Sequence, residues 1–358
     1  VGNFTVQHRV AMAPCARTRA SDVHVPNDMA ATYYGQRASR PGTLIVTEAT
    51  AITERGGGMP HVPGVWSEKQ LSAWSKVFDA VHSKESFIFV QIWSLGKAGS
   101  SEYLTERGFD VVSSADVPSS DGTSLKARAL TTAEVKEYVQ DYITAGKNAI
   151  EAGADGVEVH GANGYLLEQF LNEDCNSQRT DEYGGSIENR GRFLLEVIDG
   201  LIEAVGADKV GVRLSPFNTY NDMTVGRLAI PQYAYVLAEL QKRADAGKEL
   251  AYVHTMEAER GTKHASGKSI TEENLEWVRT VWNGVWVRNF GMTRESALKH
   301  TSDDSKVIIS FGRDFIANPD LVDRFENDWP LNQGDQSTYY SGGEKGYIDY
   351  PFYTPVKA

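Results

Sequence analysis

The sequence predicts an α/β protein whose fold is a (β/α)8, or TIM, barrel. Short apolar segments alternate with longer segments of helical periodicity along the chain, which is the pattern of parallel strands joined by helices. Eight such strand–helix units fit a closed barrel better than an open sheet. The G-x-G-x-x-G fingerprint of an open dinucleotide-binding sheet is also absent, because the segment after the first strand reads Pro14-Cys15-Ala16-Arg17-Thr18-Arg19. We expect a single domain over residues 1–358.

Each predicted element follows from its local pattern. The strands are short apolar runs, expected at Arg9–Cys15, Thr43–Ala49, Phe87–Trp93, Gly156–His160, Val210–Ser215, Ala251–Thr255, Val285–Arg288 and Val307–Phe311. The helices have helical apolar periodicity and are expected at Glu68–His82, Thr132–Ala152, Ser186–Val205, Pro231–Arg243, Glu272–Trp282, Thr293–His300 and Pro319–Asn327. Capping residues support two of these helix starts, since Thr131 or Thr132 precedes Glu134 and Ser186 precedes Glu188.

Two segments fall outside the strand–helix repeat. An insertion of about residues 97–130 follows the third strand, and insertions after barrel strands commonly lie over the active face. The tail at 328–358 is rich in Gly and Tyr and is expected to wrap the same face. Its aromatic residues, such as Tyr339 and Tyr340, are expected to cover the barrel rather than form a dimer surface, and both a monomer and a homodimer remain open.

Composition and charge exclude several classes of partner. The formal net charge is −12, so nucleic acid and anionic membranes are poor partners for the surface as a whole. The chain contains no run of about 18 apolar residues, so we expect no membrane span. Cys15 and Cys175 form neither a disulfide framework nor a zinc pattern, which makes the cytoplasm the expected location. The chain opens on Val1 rather than Met, so we expect a few further residues upstream.

The segment from Gly156 to Tyr165 carries the clearest chemical signal. A short apolar strand delivers His160 to its C-terminal end, where barrel enzymes place their catalytic groups. Asn163 follows after small residues that permit a tight turn, and Tyr165 comes soon after it. Together His160 and Asn163 offer two N–H donors for a carbonyl or oxyanion, and Tyr165 is a proton donor at neutral pH. The alternative is that His160 is a structural hydrogen-bonding residue.

Metal binding by His160 is a rival interpretation. It requires further His, Asp or Glu residues at strand ends, for which Glu48 and His254 are candidates. The fifth and eighth strands instead bring Arg213 and Arg313, cations that suit an anionic ligand better than a metal ion. We therefore expect no catalytic metal.

A phosphate site is expected after the seventh and eighth strands, as in many TIM barrels. The eighth strand is followed by Gly312, which permits close approach to the backbone, and by Arg313, which adds a fixed charge. The seventh ends in Arg288-Asn289-Phe290-Gly291, again with a glycine. A glycine-arginine pair after a strand is equally consistent with a structural turn.

Considered together, these segments resemble the Old Yellow Enzyme family of FMN ene-reductases, particularly its yeast and filamentous-fungal branch. The similarity covers nearly the whole chain. Its motifs are Met12-Ala13-Pro14, Thr47-Glu48-Ala49, Gln91-Ile92-Trp93, His160-Gly161-Ala162-Asn163-Gly164-Tyr165, Asp181-Glu182-Tyr183-Gly184-Gly185-Ser186-Ile187-Glu188-Asn189-Arg190, Val212-Arg213-Leu214-Ser215-Pro216, Phe311-Gly312-Arg313 and Gly346-Tyr347-Ile348-Asp349-Tyr350-Pro351. The strings His160–Tyr165 and Asp181–Arg190 are the most specific.

The resemblance implies an FMN cofactor at the C-terminal face, NADPH or NADH as reductant, and a role for each matching residue. The implied FMN contacts are Pro14, Cys15, Ala16, Ala49, Gln91 at the pyrimidine end, Arg213 near N1, and Gly291, Gly312 and Arg313 at the phosphate. The implied catalytic and substrate residues are His160 and Asn163 as the carbonyl-binding pair, Tyr165 as proton donor, and Trp93 and Tyr347 as pocket walls. Ala16 departs from the family pattern, in which Thr is usual, and we expect an altered flavin potential.

The implied activity is ping-pong reduction of the C=C bond of α,β-unsaturated aldehydes or ketones. Two alternatives remain open at this stage. One is a dedicated fungal secondary-metabolism reductase or isomerase of a single enal, for which retention of Tyr165 favours net reduction. The other is a flavin- or ligand-binding barrel without turnover, which the presence of His160, Asn163 and Tyr165 disfavours.

Overall fold

The computed structural model describes residues 1–123, 125–258, 262 and 272–355, and it contains a closed barrel of parallel strands. We number the barrel strands β1 to β8: Val10–Met12, Leu44–Val46, Phe87–Trp93, Gly156–Gly161, Val210–Leu214, Tyr252–Met256, Trp286–Asn289 and Val307–Phe311. Each strand pairs in parallel with the next, and β1 pairs with β8, so the sheet has no free edge among these strands. The predicted (β/α)8 barrel is confirmed.

The helices surround this barrel. The longer ones are Met29–Arg37, Glu68–His82, Thr132–Glu151, Ile187–Val205, Ala229–Asp245 and Arg294–Asp303, and the shorter ones are Ser101–Glu106, Leu166–Leu171, Arg313–Ala317 and Leu321–Asn327. The segment expected as a helix at Glu272–Trp282 is a 3-10 helix over Glu272–Thr280. No helix in the described ranges is long and apolar enough to cross a bilayer.

Side-chain caps define several helix starts. Thr131 accepts a hydrogen bond from the Glu134 amide, and the Glu134 carboxylate accepts one from the Thr131 amide in return, which is a complete capping box. Ser186 accepts from the Asn189 amide at the start of the next long helix. Both predicted capping positions are therefore confirmed.

The barrel interior is layered along its axis. Since side chains alternate across a strand, every second residue points inward. An apolar cluster that includes Phe89, Tyr252 and Ile308 fills one level. Two residues further along the same strands stand Gln91, His254 and Ser310, which are polar and buried. The interior therefore changes from apolar to polar towards the C-terminal ends of the strands.

The insertion and the tail both pack at this end of the molecule. Within residues 97–123 and 125–130, three short strands form a small separate sheet, Val112–Ser113, Lys126–Ala129 and Val117–Pro118. The tail is held through its backbone: Arg17 donates to the carbonyls of Tyr339 and Gly346 at 3.2 and 2.7 Å. Arg19 adds a bond to the carbonyl of Thr338 at 2.9 Å. These bonds fix the tail beside the loop that follows β1.

Candidate active site

A cleft opens at the C-terminal ends of the barrel strands. It has two lobes of about 460 and 440 Å³. The lobes share a wall formed by Pro14, Cys15, Asn163, Arg213 and Arg313. The position of this cleft is the one that TIM-barrel enzymes use for catalysis.

The turn after β4 is fixed by hydrogen bonds along its whole length. The Ala162 amide donates to His160 Nδ1 at 3.3 Å, and the Asn163 amide donates to Ser215 Oγ at 2.9 Å. The Gly164 amide donates to the Glu168 carboxylate, and the Tyr165 amide donates to the Ala162 carbonyl at 3.3 Å. Asn163 and Gly164 have φ of 59° and 74°, a left-handed conformation that Asn and Gly accept more readily than other residues. The sequence therefore fits the turn.

His160 is presented to the cleft as a neutral donor. Because Nδ1 accepts a backbone N–H, the ring proton of the neutral form lies on Nε2, the nitrogen available to a ligand. Burial, followed by the nearby charges of Arg213 and His254, lowers the pKa of His160 well below its ordinary value. The imidazole is therefore uncharged at neutral pH, and Nε2–H is a hydrogen-bond donor rather than a cation.

Tyr165 stands between two other aromatic rings. Its ring makes edge contacts with His160 and Trp93, at centroid distances of 5.0 and 4.9 Å and interplanar angles of 79° and 88°. Burial raises the pKa of Tyr165 above its ordinary value, and the nearby Tyr220 adds to the increase. The phenol therefore keeps its proton at neutral pH and can donate it within the cleft.

A chain of buried polar groups lies below the cleft floor. Gln91 Nε2 donates to Glu158 Oε1 at 2.7 Å, and His254 Nδ1 lies 2.8 Å from Glu158 Oε2. Ser310 Oγ lies 3.0 Å from His254 Nε2. Because the Gln91 amide nitrogen is engaged in this way, its carbonyl oxygen is left to accept a bond from a ligand in the cleft.

Arg213 supplies a buried positive charge to the wall shared by the lobes. Its Nη2 donates to Asn289 Oδ1 at 2.8 Å, which orients the guanidinium. Its Nε is buried and has no hydrogen-bond partner among the described residues. An unsatisfied donor on a buried cation is costly, so this group fits a site that receives an acceptor or an anionic ligand.

The second lobe is bordered by the turns after β7 and β8. Gly291 has φ of 70°, and apart from its own chain neighbours no described residue has an atom within 4 Å of the position of a Cβ there. At Gly312 a Cβ would lie 2.9 Å from the Cys15 sulfur, so glycine is needed for close packing. Phe290 precedes Gly291 and is also left-handed, with φ of 79°, although it is not a glycine. Arg313 borders both lobes and brings a cation to this side.

The structure brings to the cleft all but one of the cofactor, catalytic and substrate residues that the family resemblance implied. The first lobe is lined by Pro14, Cys15, Ala16, Ala49, Gln91, Trp93, His160, Asn163, Tyr165, Arg213 and Arg313. Gly291 and Gly312 line the second lobe. Among the described residues, no group of three or more His, Cys, Asp or Glu side chains is arranged as a metal site.

The exception is Tyr347, and its expected place as a pocket wall is wrong. Tyr347 is 1% exposed and stacks on Tyr33 with ring centroids 4.3 Å apart, beneath the guanidinium of Arg19. The wall on this side is formed instead by Tyr339 and Tyr340, which line the first lobe. The tail was expected at this face, but the backbone bonds of Arg17 and Arg19 decide which of its tyrosines reaches the cleft.

Other residues of the site were given no role in the sequence analysis. Thr18, Met59, Tyr220 and Ile316 also line the first lobe. Ser215, Glu168 and Asn221 bind the turn after β4 from three different segments. Such supporting residues become visible only when the chain is folded, because they are distant in sequence from the turn or lack a motif of their own.

This fold and this cleft define a flavin-dependent oxidoreductase of the TIM-barrel class. The family model described as "NADH:flavin oxidoreductase / NADH oxidase family" matches residues 1–332. The chain is 44% identical over 376 residues to Enoate reductase 1 of Kluyveromyces lactis, covering 100% of this chain and 94% of the relative. It is 41% identical over 370 residues to the probable inactive reductase easA of Epichloe festucae var. lolii, covering 98% and 93%.

Solved structures give the same result. Old Yellow Enzyme from Pichia sp. AKU4542 superposes with a TM-score of 0.90 at 36% identity, covering 99% of this chain and 92% of that one. The N189A mutant of morphinone reductase in complex with tetrahydroNAD gives a TM-score of 0.88 at 36% identity, covering 99% and 96%. The chain belongs to the NADH:flavin oxidoreductase / NADH oxidase family. It is an FMN-dependent oxidoreductase with a nicotinamide reductant, as the sequence predicted.

Proposed function

We propose that this enzyme reduces the carbon–carbon double bond of α,β-unsaturated aldehydes and ketones with NADPH or NADH. The observation that carries the proposal is the turn after β4. It presents a neutral imidazole, an amide and a protonated phenol, those of His160, Asn163 and Tyr165, to one cavity.

The residues of the cleft fit FMN. Arg213 has a buried donor without a partner among the described residues, which suits the ring at its electron-rich N1 side. The carbonyl oxygen of Gln91, which has no hydrogen-bond partner among the described residues, suits the N–H of the pyrimidine end. Gly291, Gly312 and Arg313 would hold the phosphate, and Pro14, Cys15, Ala16 and Ala49 would border the ring. When bound, FMN would supply the hydride-transfer chemistry between the nicotinamide and the β-carbon of the substrate.

The side chains of the turn supply the remaining chemistry. His160 Nε2–H and the side-chain amide of Asn163 donate hydrogen bonds to the substrate carbonyl oxygen. These bonds strengthen as negative charge develops there during hydride transfer. Tyr165 donates the proton that completes reduction at the α-carbon. Trp93, Tyr339 and Tyr340 enclose the substrate.

The residues of the cleft also help to decide between reduction and the alternative function, the isomerisation of one enal. An isomerase must return the hydride instead of protonating the substrate carbon, so it does best without a proton donor in the site. Tyr165 lines the cleft beside His160, and burial keeps it protonated, which favours net reduction.

Spectroscopy followed by turnover tests the proposal. The purified protein is expected to show a flavin spectrum, and a phenol such as p-chlorophenol is expected to produce a long-wavelength charge-transfer band as it stacks on the ring. Under anaerobic conditions, NADPH oxidation should depend on added 2-cyclohexenone and should yield cyclohexanone. The matched control is the double variant His160→Ala/Asn163→Ala, which should keep FMN and lose the band. FMN-loaded protein that forms no cyclohexanone would overturn the assignment.

A further inference from the structure

Glu168 lies directly behind the turn after β4, and the proposed reaction does not use it. Its side chain is almost completely buried, at 3% exposure. Oε1 accepts hydrogen bonds from the hydroxyls of Ser215 and Tyr233 at 2.8 and 2.7 Å. Oε2 accepts from the Gly164 amide and from Asn218 Nδ2, the latter at 3.1 Å. Four donors from three other segments of the chain therefore converge on one carboxylate.

Two of these bonds hold the turn that brings Asn163 to the cleft. The Gly164 amide binds Glu168 directly. The Asn163 amide binds Ser215 Oγ at 2.9 Å, and the same hydroxyl donates its proton to Glu168. Asn163 and Gly164 are the two left-handed residues of the turn, a conformation that persists only where the surroundings hold it. The backbone amides of both residues are therefore held by the same carboxylate: that of Gly164 directly, and that of Asn163 through the Ser215 hydroxyl.

We propose that Glu168 is a positioning residue for carbonyl binding, and that its ionised carboxylate holds the turn in the shape that presents Asn163 and His160 to the substrate oxygen. This inference rests on the proposed function of those two side chains. The charge matters because an ionised carboxylate only accepts hydrogen bonds, whereas an amide or a protonated carboxyl group must donate one. The Gly164 and Asn218 N–H groups cannot become acceptors. A neutral side chain at position 168 therefore leaves at least one of the four donors without an acceptor.

The ionisation of Glu168 falls within an accessible pH range. Burial raises its pKa from the ordinary 4.5 to about 6, although the bonds from Tyr233, Gly164, Ser215 and Asn218 oppose the increase. The charge is therefore present at pH 7.5 and is lost as the pH falls through about 6.

Other ionisable groups surround this carboxylate. Burial raises the pKa of the Tyr233 hydroxyl and of the Cys175 thiol, which moves both away from this range. Glu173 and Arg190 line the small cavity of about 20 Å³, the size of one water molecule, that adjoins Glu168. Because these groups remain in a Glu168→Gln variant, that variant separates their titration from that of Glu168.

The test measures phenol affinity by the charge-transfer band in FMN-loaded wild type, Glu168→Gln and Ser215→Ala. At pH 7.5 the Glu168→Gln variant is expected to bind p-chlorophenol about tenfold more weakly, the scale of one unpaired buried donor. Ser215→Ala, which keeps the carboxylate but removes the link to Asn163, should weaken binding in the same direction. The KM for 2-cyclohexenone should rise more than kcat falls. The matched control is Tyr183→Phe, which removes another buried tyrosine hydroxyl, bonded to Glu196 at 2.8 Å.

A pH series separates positioning from a general structural role. The ratio of the phenol Kd of Glu168→Gln to that of wild type cancels the ionisation of the phenol itself. This ratio should be about ten at pH 7.5 and should fall towards one below pH 6, where the wild-type carboxyl group becomes neutral. Equal affinities at pH 7.5, or a ratio that does not change with pH, would overturn the inference and leave the proposed function intact.

The remaining outcomes are also decisive. If Glu168→Gln does not fold, Ser215→Ala provides the test, and an unchanged Kd in that variant overturns the inference. A weakening by Tyr183→Phe as large as that by Glu168→Gln would also overturn it, because the effect would then follow from lost stability alone. If FMN-loaded wild type gives no band at all, both the proposed function and the inference fail.

Discussion

The turns after β4 and β7 border the same cleft, and each contains two consecutive left-handed residues, but they are built differently. In the first, Asn163 and Gly164 are suited to that conformation, and four successive amides of the turn have acceptors. In the second, Phe290 and Gly291 have φ of 79° and 70°, and Phe290 is 38% exposed. A Cβ at Gly164 would lie 2.6 Å from the Tyr220 carbonyl oxygen, whereas none of the described residues beyond its chain neighbours comes within 4 Å of a Cβ at Gly291.

This difference indicates which of the two turns must be rigid. A turn that must stabilise developing charge at one oxygen has to hold its donors in place before the substrate arrives, because reorganisation would reduce their effect. A turn that borders a cofactor phosphate can receive its contacts from the ligand itself. We therefore expect substitutions in the turn after β4 to affect substrate chemistry, and substitutions in the turn after β7 to affect cofactor retention and stability.

The largest effect is expected for Tyr165→Phe. Loss of the proposed proton donor should slow the reaction of the reduced enzyme with 2-cyclohexenone by about 10²–10⁴-fold, the scale of general acid catalysis. Reduction of the enzyme by NADPH should stay nearly unchanged, because that step needs no proton from Tyr165. Stopped-flow measurement of the two half-reactions separates them. If only the reaction with NADPH slows, the role assigned to Tyr165 is wrong.

Replacing Asn163 in the turn after β4, and Asn289 at the end of β7, compares the two regions directly. Asn163→Ala removes one of the two proposed donors to the substrate oxygen and should lower kcat/KM for the enone by about 10²–10³-fold. Asn289→Ala removes the partner of Arg213 Nη2 and should instead weaken FMN retention. Steady-state kinetics and FMN titration of the apoprotein measure the two effects. The comparison breaks down if Asn289→Ala reduces enone turnover as much as Asn163→Ala does in fully FMN-loaded enzyme.

The two glycines sharpen the contrast at the level of stability. Both Gly164→Ala and Gly291→Ala incur the left-handed penalty of about 1–2 kcal/mol. Only Gly164→Ala adds a steric conflict, with the Tyr220 carbonyl oxygen, and overpacking costs a further 1–3 kcal/mol or so. Chemical denaturation should therefore show the larger loss for Gly164→Ala, accompanied by weaker phenol binding. Equal losses for the two variants would mean that the turn after β4 is less constrained than its contacts indicate.

The way the turn after β4 is built also explains which parts of the fold and site could be predicted from the sequence. The turn after β4 is encoded locally, because one strand and the next five residues supply His160, Asn163 and Tyr165, so these were found by pattern alone. The barrel strands were equally visible, and Phe87–Trp93 and Val307–Phe311 have the predicted bounds. Supporting groups such as Glu168 were missed because their meaning depends on partners up to 65 residues away.

The tail shows a second limit. Its position over the active face was expected, but Tyr347 was assigned to the pocket where Tyr339 and Tyr340 stand. The choice between these tyrosines is made by arginine side chains near residue 17 that bind backbone carbonyls, and any residue offers a carbonyl. Contacts to backbone carbonyls therefore cannot be predicted from the pattern of side chains in the sequence.

The smallest effect, and the sharpest test of the turn after β7, is expected for Phe290→Gly. Glycine removes a left-handed penalty of about 1–2 kcal/mol, and the greater freedom of the unfolded chain offsets about 0.5–1 kcal/mol of that gain. The apoprotein should therefore become more stable by up to about 1 kcal/mol in denaturant titration. In the proposed phosphate lobe, the loss of the Phe290 side chain also exposes more backbone to the ligand. A destabilised Phe290→Gly protein would show that this phenylalanine contributes packing that outweighs its backbone strain, and the turn would then resemble the one after β4 in being held by its own contacts.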